Sequence, residues 1–459
     1  MDGSTGSPTG STGSATDGDE LDLDVTSVAH GGVFVGRVGD PADESGRGGR
    51  VVFVPDAIPG ERVRIRLTDV GRTSFWRGEV LEVLEPSPHR RPHIWRQADV
   101  SVPPHLRPGG ADFGHIELGH QRALKLDVLT DALKRFGGVV TDVAISGPVE
   151  LRGDDGRVAD AESPDGAGWR TRVSLHVDAG GRIGPFAARS HTVIPVEDHP
   201  LATPAVERAA LRLAHARPGR VDLVQPADGR VRVIPRADAA KTAPREAREV
   251  VIERVGGREF RVGAGGFWQV HRLAAATLDH AVRSAVRDLE GGGTGLDPDA
   301  WNLDLYGGVG LFAAALAELG GARVTTVESD ARATEHAGEN LAEWAGARAE
   351  TARVDRFVSR LAAEASGRDR DRLSRGVTVL DPPRSGAGRA VVEGVAALRP
   401  AAVVYVACDP VALARDVATF RDAGYDLRAV AAYDLFPHSH HVEAVATFER
   451  ATGSAAGRG

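Results

Sequence analysis

From about Gly265 onwards, short apolar segments alternate with segments that are rich in Ala and Leu. The apolar segments are predicted strands, at residues 302–306, 323–328, 377–381, 402–407 and 427–433. Apolar strands joined by helices are typical of a parallel sheet that is covered on both faces. The pattern therefore predicts a Rossmann-like α/β domain over residues 265–450, with candidate site residues at the strand ends.

The sequence before this domain has two further parts. Residues 21–86 contain five short segments of alternating apolar and polar residues, which predict a small closed β-barrel of the oligonucleotide-binding kind. Residues 87–264 contain a helical pattern near residues 124–136 and a hairpin pattern within residues 169–196, which indicate an α+β central domain. The hairpin is locally basic, with four arginines: Arg170, Arg172, Arg182 and Arg189.

Composition narrows the classes of protein further. The net charge is −8, but six acidic residues precede Arg37, the first basic residue, so the rest of the chain is close to neutral. The balance does not exclude a nucleic-acid partner, for which local charge matters more. Residues 1–20, rich in Gly, Ser and Thr, and residues 451–459 are predicted to be disordered tails.

The single cysteine, Cys408, excludes an intramolecular disulfide, a four-thiolate zinc site and an iron–sulfur cluster held by this chain's own thiolates. No apolar run approaches the ~20 residues of a membrane helix. The N-terminal residues lack the basic and apolar regions of a signal peptide. We therefore predict a cytoplasmic protein that does not engage a membrane.

The first predicted strand leads into a glycine-rich turn at residues 304–310 (Asp-Leu-Tyr-Gly-Gly-Val-Gly), followed by a helical segment. Such a turn lets the backbone approach a ligand at a helix N-terminus. Glu328 ends the next strand, where an acid can bind ribose hydroxyls. The turn indicates an adenosine-containing cofactor, either a nicotinamide dinucleotide or S-adenosylmethionine, although it also fits a purely structural βα turn.

Two later strand ends carry more specific signals. Residues 381–384 (Asp-Pro-Pro-Arg) close one strand, and the double proline stiffens the chain so that a polar side chain can enter the crevice. Cys408 closes another strand just before a helix, whose N-terminus would lower the thiol pKa and favour a nucleophile. The alternatives are a rigid turn for the first motif and a small buried apolar residue for the second.

Residues 434–443 place three histidines and Glu443 before a final predicted strand. Adjacent histidines on an extended loop seldom converge on one ion, so we predict no metal site. Glu443 is either a solvated surface acid or, in a crevice with Cys408, a general base.

Together these motifs resemble the S-adenosylmethionine-dependent RNA uracil-C5 methyltransferases, which are class I methyltransferases. The resemblance is carried by Glu328 and by residues 267–271 (Phe-Trp-Gln-Val-His), 304–310, 381–384, 405–410 (Tyr-Val-Ala-Cys-Asp-Pro) and 441–443 (His-Val-Glu). Residues 21–86 look like the RNA-binding TRAM domain that many members carry, and residues 169–202 resemble the family's central domain.

The resemblance implies a role for each site residue. By motif position, Cys408 is the nucleophile and Glu443 the base, and the contacts to the cofactor or its crevice come from Gln269, Tyr306, Glu328 and Asp381. The implied product is 5-methyluridine in a structured rRNA or tRNA, formed through a covalent bond between the cysteine and uracil C6 by an enzyme that acts as a monomer.

The sequence departs from the family pattern in several places. Some members hold a four-iron cluster through cysteines in the region that corresponds to residues 94–120, where this chain has none, so the cluster is expected to be absent. Further departures are Gly307, where a cysteine is frequent, Leu311, where some members have an asparagine, and Ala407 and Asp409 beside the nucleophile.

Three other interpretations remain open at this point. The first is a methyltransferase that acts on an exocyclic amine of nucleic acid or protein, with Cys408 merely buried. The second is a non-catalytic RNA-binding protein with this fold. The third is a nicotinamide dehydrogenase, which leaves residues 381–384 and Cys408 unexplained.

Overall fold

A computed structural model gives the fold and describes residues 15–39, 49–153, 155–214, 216–238, 244–289 and 296–451. Most of the two predicted tails therefore lies outside the described residues. At the N-terminal end the fold begins earlier than predicted. The Gly18 N–H donates to the Leu67 carbonyl (2.8 Å), and the first strand already starts at Glu20.

The described residues form strands β1 (Glu20–Ala29), β2 (Val33–Val38), β3 (Arg50–Val54), β4 (Arg62–Asp69), β5 (Phe75–Glu85), β6 (Ala144–Ser146), β7 (Leu151–Arg152), β8 (Val158–Asp160), β9 (Arg172–Val177), β10 (Ile183–Gly184), β11 (Gly219–Val224), β12 (Arg232–Ala237), β13 (Val250–Val255), β14 (Arg258–Gly263), β15 (Asn302–Leu305), β16 (Val324–Glu328), β17 (Ala347–Thr351), β18 (Val377–Leu380), β19 (Ala402–Ala407), β20 (Tyr425–Tyr433) and β21 (Glu443–Arg450). The helices are α1 (Leu118–Phe136), α2 (Pro204–Leu211), α3 (Ala274–Arg287), α4 (Leu311–Glu318), α5 (Ala331–Asn340), α6 (Val354–Glu364), α7 (Gly367–Arg375), α8 (Arg389–Leu398) and α9 (Pro410–Asp422). No described helix has the length and apolar character needed to cross a membrane.

The chain divides into two compact units. The first comprises Met1–Arg90 and Asp99–Pro104, and the second comprises Arg91–Ala98 and His105–Gly459. In the first unit the strands close into a barrel in the order β1-β2-β3-β5-β4, which confirms the predicted barrel. Alternate side chains such as Phe34, Val52 and Ile65 are fully buried, as expected for strands with one face toward a core.

The second unit contains both the predicted central domain and the predicted α/β domain. Its first part has a four-stranded sheet in the order β10-β9-β11-β12 and a β13-β14 hairpin. Its second part is an eight-stranded sheet in the order β17-β16-β15-β18-β19-β21-β20-β6. The β6 strand and the α1 helix, which packs on α9, come from the stretch assigned by sequence to the central domain.

The large sheet is mixed rather than entirely parallel, which corrects the sequence-based expectation. Strands β17, β16, β15, β18 and β19 are parallel, whereas β21 runs antiparallel to β19 and β20. Both faces are covered, as predicted. On β19, Val404 and Val406 join a core with α3 and α4, and Val403 and Tyr405 join a core with α8 and α9.

Candidate active site

The glycine turn follows β15 and leads into α4. Its backbone enters the left-handed region at Tyr306 (φ 63°), Gly308 (φ 54°) and Gly310 (φ 90°). Gly307 is required for a different reason, since a Cβ there would overlap Thr326 Oγ1 and lie 2.5 Å from Asp304 Oδ2. The turn is thus packed directly onto the ends of two strands.

Two acidic side chains accept hydrogen bonds from the backbone of this turn and of α4. Glu328 Oε2 accepts a hydrogen bond from the Gly308 N–H (3.3 Å). Asp304 Oδ2 accepts from the Ala313 N–H (3.1 Å) and the Thr326 hydroxyl (2.9 Å), whereas its Oδ1 is buried with no partner among the described residues. Burial raises the pKa of Asp304 to about 7.

Asp381 stands beside the turn, because its N–H donates to the Leu305 carbonyl at the end of β15 (3.2 Å). Its carboxyl group makes no hydrogen bond within the described part of the chain. Burial and the nearby Asp304 raise its pKa to about 7. The loop that follows is fixed by Asp416 of α9, which accepts from the Ala387 N–H (2.8 Å).

Cys408 lies between β19 and α9 and is half-buried. We expected the helix N-terminus to lower the pKa of its thiol, and the structure shows the reverse. Burial raises that pKa to about 12, with further contributions from the negative charges of Glu443 and Asp381, and only Arg384 opposes them. The helix N-terminus alone predicts a lowered pKa, but the fold brings two acids close to the thiol.

Strand register brings Glu443 to the cysteine. In the antiparallel β19-β21 pair, Ala407 lies opposite Ala444, so Cys408 directly follows one paired residue and Glu443 directly precedes the other. Glu443 is buried, with 5% of its surface exposed, and its carboxyl group has no hydrogen-bond partner among the residues described. Burial first, and then Asp381, raise its pKa well above the ordinary value, whereas Arg384 lowers it. Glu443 is therefore not a solvated surface acid.

Comparison with known proteins agrees with this arrangement. A model of the TRAM domain matches residues 14–81, and a model of the tRNA (uracil-5-)-methyltransferase family matches residues 297–451. The chain is 36% identical over 470 residues to an uncharacterized RNA methyltransferase of Streptomyces avermitilis, with 95% of this chain and 99% of the relative covered. The protein belongs to the RNA uracil-5-methyltransferase family.

Two more distant relatives extend the comparison. The 23S rRNA (uracil(1939)-C(5))-methyltransferase RlmD of Shewanella denitrificans is 28% identical, over 94% of this chain and 96% of the relative. The solved structure of the Pyrococcus abyssi tRNA (uracil-54, C5)-methyltransferase in complex with S-adenosyl-L-homocysteine has a TM-score of 0.63 at 19% identity, with 93% of this chain and 100% of that chain covered. That structure shares the fold, so the predicted fold class is confirmed.

In this family member, the loop that precedes Glu443 is held by buried polar contacts. Asp434 forms an ion pair with Lys125 of α1 (2.5 Å), and both side chains are fully buried. The His438 N–H donates to Gln121 Oε1 (2.7 Å), also on α1. His440 Nδ1 lies 2.7 Å from Asp112 Oδ2. The loop is thus fixed at several points just before the strand that begins with Glu443.

The three histidines of this loop have separate polar partners, although the ring centroids of His440 and His441 lie 4.1 Å apart. His438 contacts Gln121, His440 contacts Asp112, and His441 Nε2 accepts a hydrogen bond from Arg384 (3.2 Å). Across the described ranges, no three His, Cys, Asp or Glu side chains form a cluster that could hold a metal ion. The region without cluster cysteines is packed by a small core of five buried residues: Trp95, Ala98, Ala111, Trp169 and Leu201.

Two further predicted residues, Tyr306 and Gln269, are half-buried. Tyr306 is half-buried at the end of β15, and burial raises its pKa to about 12. Gln269 is half-buried after β14, and its amide makes no hydrogen bond with the described residues. Arg384 belongs to the Asp-Pro-Pro-Arg motif, but no role was predicted for it from the sequence. Its charge is the common electrostatic partner of Cys408 and Glu443.

Proposed function

We propose that this enzyme transfers a methyl group from S-adenosylmethionine to C5 of a specific uridine in structured RNA, through a covalent bond between Cys408 Sγ and C6 of the uracil. The observation that carries the proposal is the β19-β21 register, which sets the only cysteine against a buried carboxyl group that has no hydrogen-bond partner among the described residues. A thiol and a base on one crevice are what substitution at C5 requires.

The crevice residues fit the cofactor. The glycine turn opens at the N-terminus of α4, and Glu328 lies at the end of the next strand, where a carboxylate can accept hydrogen bonds from ribose hydroxyls. Among the described residues, Asp304 Oδ1 and the Asp381 carboxyl group have no hydrogen-bond partner, which favours a cationic ligand, and burial raises both of their pKa values. When bound, S-adenosylmethionine supplies an electrophilic methyl group.

Cys408 would act first on the base. Uracil C5 is a weak nucleophile, and addition of the Cys408 thiolate to C6 moves the C5–C6 π electrons into an enolate that makes C5 nucleophilic. Because burial and two nearby acids raise the pKa of this thiol to about 12, the thiol must release its proton to solvent before Sγ adds to C6. Arg384 is the positive charge in this structure that favours the thiolate form.

Glu443 would complete the reaction. After C5 has been methylated it still carries its proton, and the Glu443 carboxylate accepts that proton. The freed electron pair restores the C5–C6 double bond as the bond between Sγ and C6 breaks, which returns the thiolate. A carboxylate with a raised pKa is a stronger base than an ordinary one, which suits this step.

The target uridine must leave its stack to reach this crevice. The barrel carries a face that suits unstacked RNA, where Phe75 and Trp76 lie beside arginines, with Arg50 5.3 Å from the Trp76 ring and Arg77 5.8 Å from the Phe75 ring. This face supports RNA binding by residues 21–86. The proposed substrate is an rRNA or a tRNA, and the enzyme is proposed to act as a cytoplasmic monomer.

The test is to map 5-methyluridine in rRNA and tRNA from cells with and without the protein, and then to methylate the RNA from the deficient cells in vitro. We expect the purified enzyme to restore 5-methyluridine at one site and the Cys408→Ala variant to restore none, although it still binds S-adenosylhomocysteine. Methylation of an exocyclic amine by both proteins would refute the proposal.

A further inference from the structure

A cavity lies in the central part of the second unit. It measures about 270 Å³ and is lined by segments around β9 and β10, by two backbone glycines and by Trp95 and His199. Pockets for drug-sized ligands measure roughly 300–1,000 Å³, so this cavity suits a single nucleoside-sized group. No residue that we place in the proposed reaction lines it.

One wall of the cavity is aromatic. The rings of His176 and Phe186 stack, with centroids 3.5 Å apart and planes 14° apart, and the His191 ring meets the edge of Phe186. Both stacked rings are half-buried, so part of this planar surface stays open. Aromatic surfaces of this kind bind nucleobases by stacking.

The cavity also has a cation without a counterion. Arg170 Nε donates to the Arg172 carbonyl (3.0 Å), but its terminal nitrogens have no acceptor, and no carboxylate pairs with it among the described residues. Two other arginines of the hairpin have carboxylate partners, since Arg172 pairs with Glu253 (3.3 Å) and Arg182 with Asp178 (2.6 Å). The cavity lining contains no acidic residue, so the unpaired guanidinium favours an anionic group.

The cavity lining is joined to the segment that contains Gln269. The N–H and the hydroxyl of Thr171, which follows Arg170, both donate to the Val270 carbonyl, next to Gln269. The charge of Arg384, beside the proposed nucleophile, contributes to lowering the pKa of Arg170, and burial contributes more. The Thr171 hydrogen bonds and the charge of Arg384 thus link the cavity lining to the region of the proposed reaction.

We propose that the cavity takes a second, unstacked nucleotide of the same RNA, with its base against the wall formed by His176 and Phe186 and its phosphate on Arg170. This inference rests on the proposed function for the identity of the RNA, but not on the chemistry of Cys408. The central region would then help to select the RNA segment that surrounds the target uridine.

Binding by the full-length chain tests the cavity directly. The probe is a short, fluorescein-labelled, single-stranded RNA of random sequence, and the readout is anisotropy. We expect Phe186→Ala to weaken binding about 10-fold, as for the loss of one stacked base. Arg170→Gln should weaken binding by a similar factor and reduce the slope of log K against log salt by about 0.7.

The matched control is Arg182→Gln, because Arg182 is an exposed arginine of the same hairpin that lies outside the cavity and already pairs with Asp178. It should bind within about 2-fold of the wild type. Each variant must also bind S-adenosylhomocysteine as the wild type does, which shows that it is folded. Equal binding by all three variants would overturn the proposal.

A second experiment separates this proposal from the proposed function. Substrate RNAs carry 5-fluorouridine at the target and one abasic position nearby, and covalent adducts are counted. We expect that, at one position in this series, the abasic replacement reduces adduct formation by the wild type but not by the Phe186→Ala variant. If adducts form equally well with every abasic RNA, the cavity proposal is refuted and the Cys408 mechanism is not. If no RNA forms an adduct, the Cys408 mechanism is refuted and the binding test remains valid.

Discussion

Asp434 and Glu443 lie at the two ends of one loop, and both are buried, yet only Asp434 forms ion pairs with the described residues. Asp434 is bound by Lys125 (2.5 Å) and by Arg122 (3.3 Å). Glu443 has no hydrogen bond or ion pair with the described residues, and its strongest electrostatic neighbour is another acid, Asp381. The loop thus begins at a paired acid, Asp434, and ends at an unpaired acid, Glu443, within the described part of the chain.

The difference indicates a structural role for Asp434 and a role in the proposed reaction for Glu443. A buried charge is tolerated when a partner offsets its loss of hydration, and it then fixes the geometry of what it joins. A buried acid without a partner costs stability and has a raised pKa, which is common at functional sites. The Lys125–Asp434 pair therefore anchors the loop to α1, and Glu443 is left available for a substrate proton.

The largest expected effect comes from the unpaired end of the loop. Glu443→Gln should lower kcat by roughly 10²–10⁴-fold, the usual contribution of a general base, and methylated RNA should stay covalently attached. The free energy of unfolding should not fall, because the change removes a buried carboxyl group that has no partner. Gel analysis of the adduct and denaturant titration check both parts. Rapid release of methylated RNA would contradict the role of Glu443 as the base.

The paired end should respond in the opposite sense. Asp434→Asn should lower the free energy of unfolding by about 3–5 kcal/mol, because Lys125 would remain buried with its main counterion gone. Addition of Lys125→Met should recover part of the loss. The control is Asp426→Asn, an exposed acid on the preceding strand, which should change little. If Asp434→Asn is as stable as this control, the proposed anchor is wrong.

The glycine turn offers a smaller test of how tightly the crevice is built. Gly307→Ala should cost about 1–3 kcal/mol of stability and weaken cofactor binding, because its Cβ would collide with Thr326 and Asp304. Gly338→Ala is the control, since a Cβ at that position in α5 meets no atom within 4 Å. That change should be neutral or stabilise the helix by up to about 1 kcal/mol. Calorimetry measures both properties, and equal behaviour of the two variants would contradict this packing.

The last expected effect is a change in pH dependence. Burial and Asp304 raise the pKa of Asp381 to about 7, above its unfolded value of about 3.9. The stability of the wild type relative to Asp381→Asn should therefore be greatest below pH 4 and fall as the pH rises to about 7. Urea unfolding of both proteins between pH 4 and 8 checks the sign. A constant difference would show that Asp381 has an ordinary pKa.

Local patterns accounted for much of the fold. The five barrel strands and the strands that carry Asp304, Asp381 and Cys408 were predictable from apolar periodicity. The edge strand β17 (Ala347–Thr351) escaped prediction because its sequence, Ala-Arg-Ala-Glu-Thr, has low β propensity and little apolar content. The β6 strand (Ala144–Ser146) escaped because its place beside β20 depends on pairing across almost 300 residues.

The candidate site shows the same division. Cys408 and Glu443 were predicted from strand ends and from the family resemblance, and their roles remain predictions. The environment of the thiol could not be predicted, since Asp381 and Glu443 approach it only through strand register. The partners of Asp434 were equally hidden, because Lys125 is more than 300 residues away in the chain.

The most direct test of the account is the covalent bond to Cys408. The full-length enzyme is incubated with S-adenosylmethionine and with the substrate RNA in which 5-fluorouridine replaces the target, so that C5 has no proton for Glu443 to remove. Mass spectrometry of the digested product should then find a methylated fluorouracil nucleotide attached to the peptide that contains Cys408. Normal methylation of the unmodified RNA by a Cys408→Ala variant, or an adduct at any other residue, would contradict the account.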